Sequence, residues 1–244
     1  MNIKLITRRA ILVTMIVFSI VVTGGCLRMS DNKELMATAE QALKEKYGTA
    51  FKAVDIRKEN EDRFEVWLRE ESHPGLVARA AMNNDGTGIN DNYVAKVLCH
   101  RITDMAEQAM KDYPGDIFIY TVNMMLYVNE TDVNIDFKTY LDAYDGVEEF
   151  DIYIFVERPN IDYEKLYSGF EAIRKKCNLG SGYIEAYALQ NGTLNDVQHE
   201  IESFDELSGG IKKYLTKAGY VTIPLSESEA MPAADSVNRG LRDE

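Results

Sequence analysis

Apolar positions at helical spacing open the folded part of the chain. Asp31 and Glu34 have the spacing of a capping box, and apolar residues then recur every three or four positions until Gly48. This pattern predicts a first helix that ends at Gly48. Three runs with strand character follow, at residues 51–57, 64–68 and 76–82. Charged or Pro/Gly connections separate these runs, which predict a small antiparallel meander.

A longer amphipathic helix and a set of aromatic strands are predicted for the middle of the chain. The apolar stripe of the helix extends over residues 94–109, and His100 lies opposite that stripe, where we expect it to face water. Residues 113–155 then include ten aromatic side chains, a density that favours central strands. A short helix is predicted at 136–144, between two apolar runs. These runs are residues 117–128 and 150–156.

The last third of the chain continues the mixture of helices and strands. Its predicted elements are helices at 163–177 and 193–204, a strand at 183–189, a short helix from 211 and a strand at 220–223. Residues 224–244 lack apolar periodicity and are rich in Ser, Glu, Ala, Pro and Asp, so we predict a disordered acidic tail there.

The order of elements favours one fold class. Helices and strands are mixed without strict βαβ alternation, which predicts an α+β fold. We expect mixed or antiparallel sheets with amphipathic helices packed on one side. The folded domain is predicted to span residues 32–223, with a sub-domain boundary near 114–115 if there are two sub-domains.

Charge excludes one large class of function. The chain has 40 acidic and 27 basic residues, a net charge of −13. Nucleic-acid binding depends on clustered Lys and Arg, so we expect no nucleic-acid partner.

Residues 1–25 have the layout of an export signal. Lys4, Arg8 and Arg9 form a positive start, residues 10–22 are apolar apart from Thr14 and Ser19, and small residues follow. The apolar run has 13 residues, whereas a helix that crosses a bilayer needs roughly 20. A cleaved signal is therefore favoured over a permanent span, with an uncleaved N-terminal anchor as the alternative.

The four residues Thr23-Gly24-Gly25-Cys26 resemble the lipobox of bacterial lipoproteins. The resemblance implies cleavage between Gly25 and Cys26 and attachment of a diacylglyceryl group to the Cys26 thiol. Thr23 departs from the pattern, since a branched aliphatic residue is usual there. Residues 26–31 would then link the lipid to the domain at the extracytoplasmic face of the cell membrane.

Loss of the signal would make the protein more acidic. Removing residues 1–25 takes away three basic and no acidic residues, so the net charge changes from −13 to −16. Such a body is repelled by anionic lipids, while the two acyl chains on Cys26 are enough for stable anchoring. The expected partners are the membrane, through Cys26, and another envelope protein.

The turn-rich segment 83–91 is the one candidate metal site. Asn83, Asp85 and Thr87 alternate as in a calcium-binding EF-hand loop. The position of the bidentate glutamate is occupied by Val94, so turn and helix-capping chemistry is favoured, with positive φ angles at the glycines. We predict no metal or other cofactor, with these three residues as the weak alternative.

No catalytic motif stands out. The three histidines have no paired spacing, and the context of Ser181 differs from a nucleophile elbow. Carboxylates cluster at 59–65 and 142–151, where a solvated surface is favoured over a catalytic pair.

The mature chain keeps two cysteines, and its tyrosines form a further candidate surface. For Cys99 and Cys177, burial as small apolar side chains is favoured over a disulfide. Core packing is likewise favoured for the tyrosines, with a partner-binding surface as the alternative. These tyrosines are Tyr127, Tyr140, Tyr144 and Tyr153. The sequence thus favours a non-enzymatic binding or accessory module of the envelope, with a carboxylate-pair hydrolase as the alternative.

Overall fold

The computed structural model describes the folded body of the chain. The described residues are 31–123, 130–144, 150–157, 161–177, 179, 182–207, 209–226 and 229–241. The predicted signal peptide, Gly25, Cys26 and the linker up to residue 30 lie outside them. So do Tyr127, Ser181 and part of the second acidic cluster. Among the described residues no helix is long and apolar enough to cross a bilayer.

The first half is a helix packed on an antiparallel sheet of order β1-β2-β3-β4. Helix α1 begins after Asp31, whose side chain accepts a hydrogen bond from the Lys33 N–H. Its buried residues Leu35, Ala39 and Leu43 pack on one face of the sheet, as the periodicity predicts. The elements are α1 (Asn32–Tyr47), β1 (Phe51–Lys58), β2 (Arg63–Glu70), β3 (Val77–Asn83) and β4 (Asn90–Asp91).

The second half is built on a mixed sheet of order β5-β6-β7-β8. Strands β6 and β7 are parallel and are joined through a helix, while the two outer pairs are antiparallel. The elements are α2 (Tyr93–Met110), β5 (Ile117–Asn123), α3 (Phe137–Ala143), β6 (Phe150–Glu157), α4 (Tyr163–Cys177), β7 (Tyr183–Leu189), α5 (Leu194–Phe204), a 3-10 helix (Gly209–Tyr214), β8 (Leu215–Pro224) and α6 (Ala234–Leu241).

Helices cover both faces of the second sheet. Helices α2, α4 and α6 share the larger core with inward residues such as Ile152 and Ile154. Helix α5 packs on the opposite face through Leu194, Val197 and Ile201. The α+β prediction is confirmed, but helices on one side describe only the first sheet. Apolar residues on both faces of the central strands require cover on both.

The C-terminal region differs from the predicted disordered tail over 224–244. Helix α6 packs on β8, and both Val237 and Leu241 are fully buried. Two apolar residues four positions apart are enough to hold a short helix once they pack on an existing core. Eight residues are too few to show an apolar periodicity in the sequence.

Candidate functional site

A cavity of about 470 Å³ lies where the β2–β3 connection approaches the second sheet. Helix α2, strand β5 and the C-terminal end of helix α5 form the rest of its wall. Its charged lining residues are Arg69, Asp104, Glu107, Glu202 and Asp205, together with His100. The cavity thus collects ionisable groups from three separate elements, β2, α2 and α5.

Asp205 is the buried centre of this group. It ends helix α5 in a left-handed conformation, with φ of 49°, and its N–H donates to the Ile201 carbonyl. Aspartate tolerates this conformation better than most residues. Only 3% of Asp205 is exposed, so its carboxylate depends on partners within the protein.

Residues from three other elements supply those partners. On α2, Lys96 Nζ and His100 Nε2 lie 3.5 and 3.2 Å from Asp205 Oδ2. The N–H of Val77, at the start of β3, donates to the same oxygen at 3.3 Å. The Tyr120 hydroxyl on β5 and the Lys96 ammonium donate to the Asp205 carbonyl. One residue therefore ties both sheets to two helices.

Tyr120 is held as a hydrogen-bond donor. Burial, and next the charge of Asp205, raise the pKa of Tyr120 well above its ordinary value. The hydroxyl is therefore protonated at neutral pH. It also accepts a hydrogen bond from Lys96 Nζ at 3.1 Å. A buried hydrogen-bond network of this kind makes the site rigid.

His100 and Asp205 are arranged like the base and the carboxylate of a nucleophilic triad. The nearby hydroxyl of Thr103 does not complete that triad. Thr103, one turn along α2, donates its hydroxyl hydrogen to Thr121 Oγ1 at 2.9 Å. A nucleophilic triad needs that hydrogen to be donated to the imidazole. Thr103 is therefore not an activated nucleophile in this arrangement.

Three further carboxylates line the cavity. Asp104 and Glu107 lie on α2, and Glu202 lies on α5. Burial, and next the charge of Asp104, raise the pKa of Glu107. Arg69 also lines the cavity and donates to two backbone carbonyls at 2.8 Å each.

A second cavity, of about 380 Å³, shares His100 and Asp104 with the first. Its lining includes the buried carboxylate of Glu70. Burial alone would raise the pKa of Glu70, but hydrogen bonds outweigh it and the pKa lies below its ordinary value. The partners of Glu70 are Thr49, Ser72, His73 and Tyr93, at 2.5 to 3.1 Å.

Glu70 is expected to make stability depend on pH. Because its pKa is lowered in the folded state, its contribution is present above the unfolded-state pKa and is lost as pH falls through the folded-state pKa. Glu70→Gln should reduce the free energy of unfolding at pH 7 by about 1–3 kcal/mol, and by less in acid. Urea unfolding across the acidic range measures both effects. Glu59→Gln, at an exposed pair with Arg63, is the control, and equal losses in both variants would contradict this role.

The candidate calcium residues form a closed turn. The Asn83 N–H donates to the Thr87 carbonyl at 2.8 Å, and the Thr87 hydroxyl donates to Asp85 Oδ1 at 2.6 Å. Hydrogen bonds from the Thr87 hydroxyl and from the Thr87 N–H lower the pKa of Asp85. Gly86 and Gly88 have positive φ, as turn chemistry predicts. Within the described ranges no group of three or more His, Cys, Asp or Glu residues could hold a metal ion.

Most of the other predicted candidates lie away from the cavities. In the acidic clusters Glu59 pairs with Arg63, and Asp142 pairs with Lys138 on the surface. Asp145, Glu148 and Glu149 lie outside the described residues.

The cysteines and histidine follow the predictions in part. Cys99 and Cys177 are both buried and are not joined in a disulfide, and burial raises the pKa of Cys177 to about 11. The prediction that His100 faces water holds in part, because its side chain is 42% exposed while its Nε2 also reaches Asp205 Oδ2.

Sequence reasoning missed Lys96, Glu107 and Asp205. Lys96 had a usable signal, since it is the one charged residue in the stretch 93–99. Asp205 follows a helix among other polar residues and has no such signal. Its partners are 105 and 109 positions away along the chain.

Comparison with known proteins supports the fold alone. No protein-family model and no curated protein matches the chain. The fold is similar to the crystal structure of a DUF5037 family protein from Ruminococcus gnavus, with a TM-score of 0.68. The similarity covers 85% of this chain and 98% of that chain at 14% identity. The two proteins thus share an α+β architecture.

Proposed function

We propose that this chain is an exported, lipid-anchored protein that acts as a non-enzymatic binding or accessory module of the cell envelope. The observation that carries the proposal is the order of positive residues, apolar run, small residues and Cys26 at the N-terminus. In lipoproteins this order directs export and lipid attachment. The body would stand at the extracytoplasmic face of the cell membrane, beside a partner protein.

The chemistry of the larger cavity supports binding. Its volume lies within the usual range for ligand sites. The Tyr120 hydroxyl is kept protonated, and Asp205 is already paired with Lys96 and His100. Groups engaged in this way hold a surface in shape, whereas acid–base catalysis needs groups whose pKa lies near the working pH.

A carboxylate-pair hydrolase is the second candidate because Glu107 has a raised pKa, as a general acid requires. The two carboxylates of such a hydrolase must flank the scissile bond from opposite sides. Asp104 lies on the same helix as Glu107, so the second carboxylate would be Glu202, which lines the cavity from α5. Release of reducing ends from purified cell wall, lost in Glu107→Gln, would establish this candidate in place of the first.

Metabolic labelling with an alkyne fatty acid tests the proposed anchor. Wild-type protein should carry the label in the membrane fraction, and Cys26→Ala should lose both the label and the membrane association. Cys177→Ala is the matched control and should be labelled like the wild type. Undiminished labelling of Cys26→Ala would contradict the proposal.

A further inference from the structure

Four aromatic side chains cross the second sheet in register. Phe118 pairs with Phe155, Phe155 with Tyr187, and Tyr187 with Tyr220, so each strand contributes one ring. Successive ring centroids are 6.0, 5.7 and 5.8 Å apart, with interplanar angles of at most 20°. We call these four residues the aromatic ladder. Tyr153 stacks beside Tyr187 at 6.1 Å.

The ladder passes from a covered end to an open end. Phe155 is fully buried in the cluster that includes helix α5. Tyr220 is 60% exposed, and Tyr183, on the same face of β7, is 42% exposed. Tyrosine is enriched at protein–protein interfaces relative to the rest of the surface, so two exposed tyrosines on one face make a candidate interaction site.

The charged residues that β6 and β7 place on this face are all acidic. Asp151, Glu157 and Glu185 alternate with the aromatic residues along β6 and β7. The Tyr187 hydroxyl donates to Glu185 Oε2, and the Tyr183 N–H donates to Asp151 Oδ1 at 2.9 Å. Burial, followed by Glu185 and Asp151, raises the pKa of Tyr153 to about 12.

The same face already binds cations inside the molecule. Lys96 Nζ lies 5.7 Å from the ring centroid of Tyr120, which pairs with Tyr153 across β5 and β6. Aromatic rings beside carboxylates recognise ammonium and guanidinium groups through cation–π contacts and ion pairs. The open end offers this chemistry to an outside group.

We propose that the open end of the ladder, at Tyr187, Tyr220 and Glu185, binds a segment of a partner protein that carries lysine or arginine. This inference names a partner chemistry for the binding module and therefore rests on the proposed function. Tyrosine gives a rigid contact area at low entropic cost, which suits a protein partner. The cationic side chain would lie against a tyrosine ring, and Glu185 would supply the ion pair.

Charge argues against two other occupants. A second copy of the chain would add a second Glu185 carboxylate to the same interface, between two proteins that each have a net charge of −13. Anionic lipid headgroups would meet the same repulsion. A basic segment of a partner protein is therefore the occupant whose charge complements this acidic face.

Titration of the full-length protein with synthetic hexapeptides tests the proposal. Hexa-arginine should bind, whereas hexaglutamate should not. Tyr220→Ser and Glu185→Gln should each weaken binding by about fivefold, which corresponds to the loss of one exposed cation–π contact or ion pair. Tyr220→Phe keeps the ring and should bind like the wild type. Glu59→Gln removes a carboxylate elsewhere and should also bind like the wild type.

The controls separate this proposal from its competitors. Tyr220→Ser should lose only a small part of the stability towards urea, because the side chain is largely exposed and its main loss is the stacking on Tyr187. Equal affinity of all variants would reveal general charge attraction and overturn the proposal. Preference for a neutral N-acetylglucosamine hexamer, or Tyr220-dependent self-association, would overturn it as well. Since fatty-acid labelling of Cys26 is measured separately, failure here would leave the proposed anchor standing.

Discussion

Asp205→Ala is expected to destabilise the protein by about 3 kcal/mol or more, because it leaves the ammonium of Lys96 buried without its carboxylate. Lys96 is 13% exposed and cannot recover full hydration at its present position. Alanine also disfavours the left-handed conformation at position 205. The effect should exceed that of a surface ion pair several times over.

Urea unfolding at pH 7 measures this loss, and three further variants define its origin. Asp205→Asn keeps a side chain that tolerates positive φ, so it should lose less stability than Asp205→Ala. Adding Lys96→Met to Asp205→Asn should recover part of the loss, since no buried charge then lacks a partner. Asp142→Asn, at the exposed pair with Lys138, should cost about 0.5 kcal/mol at most. A loss in Asp205→Ala no larger than in Asp142→Asn would contradict the role of Asp205.

Gly182→Ala is expected to have a comparable effect for a steric reason. Gly182 precedes β7 with φ of 95°, and an added Cβ would lie 2.1 Å from the carbonyl oxygen of Phe150. A backbone carbonyl in a strand cannot move away like the end of a side chain. Backbone strain and the clash together should cost about 3 kcal/mol or more.

Gly192→Ala is the matched control for this prediction. Gly192 also has positive φ, at 77°, but an added Cβ would have no atom within 4 Å. It should lose about 1 kcal/mol, from backbone strain alone. Urea unfolding of the two variants compares them directly, and equal losses would show that the contact with Phe150 is unimportant.

Periodicity predicted the elements that have a single long apolar face. Helix α1 and strand β7 lie where the pattern places them, because local spacing alone decides which of their side chains meet the core. Strand β4 has only two polar residues, and helix α6 has only eight residues. Both depend on pairing or packing with distant parts of the chain, which local patterns do not contain.

Most of the candidate site could not be predicted from the sequence. Asp205 meets Lys96 and His100 only after helix α5 docks on the second sheet, and no spacing rule links positions so far apart. The aromatic ladder was partly predictable, since strand alternation places Tyr153 and Phe155 on one face. Its register with Tyr187 and Tyr220 required the strand order of the sheet.

The intact mass of the protein purified from membranes of its own host is the decisive test of the lipid anchor. We expect a chain that starts at Cys26 and carries the added mass of a diacylglyceryl group on that residue. A chain that starts at Met1, or one whose Cys26 is unmodified, would contradict a lipid-anchored module.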